Sequence, residues 1–246
     1  NELLDFHYTS MLPHKDYHME NVISYNNQYF VKAGQVDTLL ISMKNYSLNR
    51  GYSINSIDSA RNQIYSFLNN TQMLTTINGT YVIKDIQSNI YTLINGAMTY
   101  GNLSQNEYNV LSNLISCYYN KNYGLIPNYI SSINLNNYDI DDYPAVYAFI
   151  ALYNHSYEYW NNYYSEIDKK ANKNDDEIQT TEEASVSSAF ADAMGIVIGV
   201  ATGGATAGPW FPLYAYAFSQ LFTAVANYVE RRECTCPVCQ YWGMCE

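Results

Sequence analysis

Apolar residues recur along most of this chain at steps of three and four, the spacing that places side chains on one face of an α-helix. Ile54, Ile57, Ala60, Ile64, Phe67 and Leu68 follow Ser53, a candidate cap, and predict one amphipathic helix. Ile83, Ile86, Ile90, Leu93, Ile94 and Ala97 predict a second near 81–98, stopping in the Gly96 to Gly101 region. Ser104-Gln105-Asn106-Glu107 has capping-box spacing and opens a third, with Tyr108, Leu111, Leu114, Ile115 and Tyr118; Gly124 and Pro127 end it. Pro144 suits a first helical turn, and Val146, Phe149, Ile150, Tyr153, Tyr157 and Trp160 carry that helix to about Tyr164. The polar stretch 165–181, with Lys169, Lys170, Lys173, Asp175, Asp176 and Glu177, reads as a solvated connection. Behind it, Thr180-Thr181-Glu182-Glu183 offers a second capping box.

Residues 193–229 contain no Asp, Glu, Lys or Arg. Val186, Phe190, Ala193, Val197 and Val200 form a helical stripe, and Gly195, Gly199 and Gly203 form a glycine zipper, a nearly bare face for close helix contact. Three glycines and two prolines in 203–212 turn the chain. A second arm, Leu213 to Val229, bears Leu213, Ala217, Leu221 and Val225, opposite a thin polar stripe that ends at Glu230. Each arm is short for a bilayer span, which needs about 20 apolar residues, so a buried hairpin is favoured over a membrane element. Strand-like alternation is lacking, and Thr80-Tyr81-Val82-Ile83 is too short to assign. The predicted fold class is all-α: a multi-helix bundle in one domain, 1–232, around a central apolar C-terminal hairpin, then a cysteine-rich tail, 233–246.

Composition narrows the partners. With 12 Lys and Arg and a net charge of −11, no cationic face is available for phosphate backbones, so nucleic acid is excluded and anionic membrane surfaces are disfavoured. Charged residues are only 14% of the chain, and 27 tyrosines with many asparagines must cover much of the surface. Asn1 in place of Met suggests a segment removed before it, such as a signal peptide. Together with the clustered cysteines, this points to a secreted, periplasmic or cell-surface protein.

Cys234, Cys236, Cys239 and Cys245 place four thiols within twelve residues. Disulfides are favoured, and tetrahedral Zn²⁺ is the alternative, although no zinc-ribbon or knuckle spacing is matched. No other cofactor is expected. Cys117, inside the third helix, reads as a buried thiol or a partner for the tail. His14 and His18, four apart, are metal candidates, but without a glutamate following His14 they form no metalloprotease motif. His155 and Glu158 lie close on one helix without a nucleophile, and Tyr157, Tyr159, Trp160, Tyr163 and Tyr164 read as packing. No phosphate loop, nucleophile elbow or paired-carboxylate pattern is present.

Ala191-Asp192-Ala193-Met194-Gly195, followed by Gly199, Gly203, Gly204 and Gly208, resembles an Ala-Asp-x-x-Gly segment of uncharacterised secreted proteins of Bacteroidales gut bacteria, mainly over the C-terminal forty residues. The glycine-rich helix is also similar to those of bacteriocin-like peptides, from which this chain departs in its length, acidity and cysteine tail. The resemblance implies secretion and transfers no catalytic residue. The expected function is binding of a protein or glycan by a secreted, non-enzymatic protein. The alternatives are a membrane-active protein that inserts its 184–230 hairpin and a hydrolase with a dispersed site.

Overall fold

In the computed structural model, which describes residues 22–26, 28–49, 57–171 and 175–203 together with Phe218 and Leu221, Asn78 and Gly79 reverse the chain with φ angles of 48° and 80°. Both lie in the left-handed region that a two-residue hairpin turn requires, and Asn-Gly adopts it at little cost. A first hairpin, β1 (Val22–Tyr25) and β2 (Gln28–Lys32), closes at Tyr25↔Gln28, with Asn26 at φ 51°. The Asn78-Gly79 turn joins β3 (Leu74–Ile77) to β4 (Thr80–Lys84). All neighbours are antiparallel in the order β1-β2-β4-β3, and the hairpins meet through Phe30↔Lys84, Val31↔Ile83 and Lys32↔Val82.

The all-α expectation is therefore wrong: the protein is mostly helical but carries a four-stranded sheet. Its strands are only four or five residues long, so period-2 alternation never accumulates. The helix expected over 81–98 merged two elements. Ile83 belongs to β4, Ile86 to the following turn and Ile90 to a helix that starts there, and their spacing of three and four imitates one helical face. All three are buried, so their inward position was correct while the element was not.

Seven α-helices are described: α1 (Gly34–Asn49), α2 (Asp58–Asn70), α3 (Ile90–Tyr100), α4 (Gln105–Tyr119), α5 (Ile126–Ser132), α6 (Pro144–Ala171) and α7 (Asp175–Gly203). Arg61 of α2 bonds Asp37 of α1 and Asp58, while the Tyr65 hydroxyl donates to Ala33 O at 2.8 Å, tying α2 to the start of α1. Ser53, the cap expected for α2, lies outside the described residues; Ile57 occupies the cap position without a side-chain bond.

The Ser104 capping box forms as expected. The Glu107 amide donates to Ser104 Oγ at 3.2 Å, and the Ser104 amide donates to Glu107 Oε2 at 3.0 Å. Glu107 Oε1 also accepts the Ala145 amide at 2.8 Å, so one buried carboxylate serves the N-termini of α4 and α6. Both helices present unsatisfied amides and a partial positive charge there.

The polar connection expected over 165–181 is helical over 165–171 and 175–181. Because α7 already begins at Asp175, the Thr180 to Glu183 pattern lies inside a helix rather than at its start. From Ser185 to Gly199 every residue of α7 is buried. Such a helix has no polar face and must occupy the centre of the protein. It packs chiefly against α6; Phe190 stacks on Tyr118 of α4 at 4.3 Å and meets Phe149 of α6 edge-on at 5.4 Å. Its far end touches α3, where the Asn102 amide donates to Ala201 O at 2.8 Å. One core cluster unites α7 with Val31 and Ile83 of the sheet, Leu68 of α2, Leu93 of α3 and Leu114 of α4.

Gly195 and Gly199 are buried in α7, and Gly203 is its last residue. Of the turn expected over 203–212, Gly203 is still helical, and 204–212 with most of the second arm lie outside the described residues. Phe218 and Leu221 from that arm are fully buried, with the Phe218 ring edge-on to Phe67 at 5.6 Å.

Candidate functional site

The alternation of side chains along a strand gives the sheet two distinct faces. Val31, Ile83 and Leu74 share the face that joins the core. The strand pairings place Tyr25, Gln28, Phe30, Thr75, Ile77 and Lys84 on the other face. These six line a cleft of about 680 Å³. Asn26, Asp85, Gln87, Ser88, Asn89 and Lys121 also line it.

The cleft wall is held by its own hydrogen bonds. Asp85 Oδ1 accepts the Gln87 amide at 3.1 Å, and Oδ2 accepts the Ser88 amide at 3.1 Å together with the Ser88 hydroxyl. Asn89 Nδ2 donates to Asp85 O at 2.7 Å. Gln87 Nε2 donates to Tyr118 O at 3.2 Å and to the Tyr123 hydroxyl at 2.5 Å, anchoring the 85–89 turn to the end of α4. Both Asp85 oxygens are thus committed to the turn.

Lys121 reaches the cleft through an unusual helix end. The Asn122 amide donates to Cys117 O at 2.8 Å and the Lys121 amide to Tyr118 O at 3.1 Å, the paired bonds of a Schellman motif. Lys121 occupies its left-handed position, at φ 58°, where glycine is most often found. The partial negative charge at the end of α4 suits a lysine there.

A second polar group lies sealed between α6 and α7. Trp160 Nε1 donates to Asp192 Oδ2 at 2.9 Å, and the Tyr164 hydroxyl and Ser188 Oγ stand 3.3 Å apart. Asp192, Ser156, Ser185 and Ser188 are fully buried. Burial, reinforced by Tyr163 and Asp192, pushes the Tyr159 phenol up to about 12. Tyr153 is pushed upward too, mainly by burial, and its hydroxyl has no hydrogen-bond partner among the described residues. With no exposed surface at Asp192, this group is a packing device that fixes the register of α6 on α7.

The other candidates from the sequence are dispersed. His155 and Glu158 are exposed on α6, away from the cleft lining. Cys117 is buried in α4, and burial raises its thiol pKa. His14, His18, Cys234, Cys236, Cys239 and Cys245 lie outside the described residues, so the zinc and disulfide expectations rest on sequence alone. Among the described residues, no three His, Cys, Asp or Glu side chains come together as a metal site. The cleft itself was missed because its floor is the unforeseen sheet. Two sequence signals pointed to it: Asn78-Gly79 between apolar runs, and Asn26-Asn27 between Tyr25 and Gln28.

No protein-family model, curated protein or solved structure matches this chain.

Proposed function

We propose that this is a secreted, non-enzymatic binding protein that takes a saccharide in the cleft on the outer face of its sheet. The observation that carries this reading is the cleft's lining. Tyr25, which is exposed, supplies ring surface that can cover the apolar face of a sugar above the buried Phe30, while Asn26, Gln28, Ser88 and Asn89 supply donors and acceptors for its hydroxyls. Asp85 is a poor candidate for general acid or base because its own turn engages both oxygens. The extracytoplasmic setting rests on the clustered cysteines.

A glycan array probed with the intact chain, and with a variant that fills the cleft, Thr75→Trp, tests this reading. Binding to saccharides that the variant loses supports it, whereas an array silent for both proteins contradicts it.

The membrane reading draws on Glu182–Thr202, a segment long and apolar enough to span a bilayer. It ranks second because 89% of that window is buried. Insertion would have to break the Trp160–Asp192 bond and unpack α7 from α3, α4 and α6. Release of vesicle contents would favour this reading; intact vesicles from pH 4 to pH 8 would oppose it.

A further inference from the structure

We infer that Asn78 is an N-glycosylation site, whose side-chain amide takes an oligosaccharide from a lipid-pyrophosphate donor. This rests on the extracytoplasmic part of the reading above and on no property of the cleft. The acceptor pattern is Asn, any residue but proline, then Ser or Thr, and it recurs at Asn45, Asn69, Asn78, Asn102 and Asn154. A bulky, hydrated glycan has to stand in solvent, and the hydroxyl two residues on has to be presented together with the amide. The fold sorts the candidates on both counts.

Asn45 lies within α1 and Asn154 within α6. Residues two apart on a helix do not face each other, which separates amide from hydroxyl, and Ser156 is fully buried as well. After Asn69, Thr71 is buried and its hydroxyl donates to Phe67 O at 2.8 Å. The Asn102 backbone amide donates to Ala201 O at 2.8 Å, and Ser104 Oγ accepts the Glu107 amide in the capping box of α4. Asn78-Gly79-Thr80 differs from all of these. The three residues are exposed at the tip of the hairpin of β3 and β4. Among the described residues, neither the Asn78 nor the Thr80 side chain makes a hydrogen bond, so a glycan there breaks nothing.

Modification at Nδ2 leaves the backbone free to keep the φ of 48° that the turn requires. In the transfer, Asn78 Nδ2 forms a bond to the anomeric carbon of the sugar. The bond from that carbon to the donor's phosphate oxygen breaks, lipid pyrophosphate leaves with the electron pair, and Nδ2 gives up one proton.

The test is mass spectrometry of the peptide containing Asn78, from the chain isolated from the cells that make it and from Thr80→Ala and Thr80→Ser variants made in the same cells. Electron-transfer fragmentation should place the sugar mass on Asn78. Thr80→Ala should remove it, and Thr80→Ser, which keeps a hydroxyl, should retain it. A chain found outside the cytosol with Asn78 bare overturns the inference and leaves the extracytoplasmic reading standing. A bare chain found in the cytosol overturns both. Sugar on Asn69, Asn102 or Asn154 with Asn78 bare overturns the choice made from the fold, and sugar that persists on Asn78 in Thr80→Ala overturns the role of the hydroxyl.

Discussion

Glu107 accepts the Ser104 and Ala145 amides, and removing it leaves two helix starts short of an acceptor. Glu107→Ala should lower stability by about 2–3 kcal/mol, combining a lost cap with a lost charge-assisted bond, as measured by urea denaturation. Little change would mean that water replaces the carboxylate at both sites. Gly101 marks a close approach of another kind: a Cβ there would lie 2.5 Å from Ala201 O and 2.6 Å from Ala97 O. Backbone oxygens cannot swing aside, so Gly101→Ala should cost about 1–3 kcal/mol in the same assay. Gly124 has open space around its Cβ position, and Gly124→Ala should be nearly neutral. Tyr159 gives a pH signature. Its phenol is pushed up to about 12 by burial, against an unfolded value near 10, so the folded state holds the proton more tightly. Its contribution is full below about pH 10 and is lost as the pH rises toward 12. In denaturation series at rising pH, Tyr159→Phe should flatten part of the decline between those values; an unchanged slope would refute the assignment.

Element ends show what the sequence did and did not make legible. The Ser104 box was readable because its chemistry is local: a hydroxyl, a carboxylate and two amides within four residues. The ends of α2 and α4 were not readable. Both are Schellman motifs with Gln72 and Lys121 in the left-handed position, and neither residue type signals that conformation. Lys121→Gly should raise the midpoint of thermal unfolding, with a gain of about 1 kcal/mol. A destabilised Lys121→Gly variant would show that the lysine contributes more through contacts than it loses in backbone strain. The sheet escaped for a different reason. Short strands flanking a turn share their apolar spacing with a helix, and pairing of β2 with β4 depends on residues about fifty positions apart. The core was far more legible than the site: Ile64, Leu93, Leu111, Phe149, Phe190 and Val197 are all buried where their spacing placed them.

At the scale of the whole molecule, α7 organises the rest. The sheet, α3, α4 and α6 join one core with it, and the cleft lies on the opposite face of the sheet, where Val82 and Phe30 are themselves buried. The first arm of the expected 184–230 hairpin lies within α7, a core helix with a buried Asp192 held by Trp160, and Phe218 and Leu221 of the second arm are buried too. Binding at the cleft and permanent burial of α7 belong to one account, because a helix that left the core would dismantle the framework holding the cleft wall. Amide hydrogen exchange on the full chain, with and without anionic vesicles at pH 5 and pH 7.5, tests that account most directly. The amides of residues 185–199 should be among the slowest to exchange, requiring near-global unfolding, and vesicles should leave them unchanged. Rapid exchange across 185–199, or protection there that changes when vesicles are added, would contradict it.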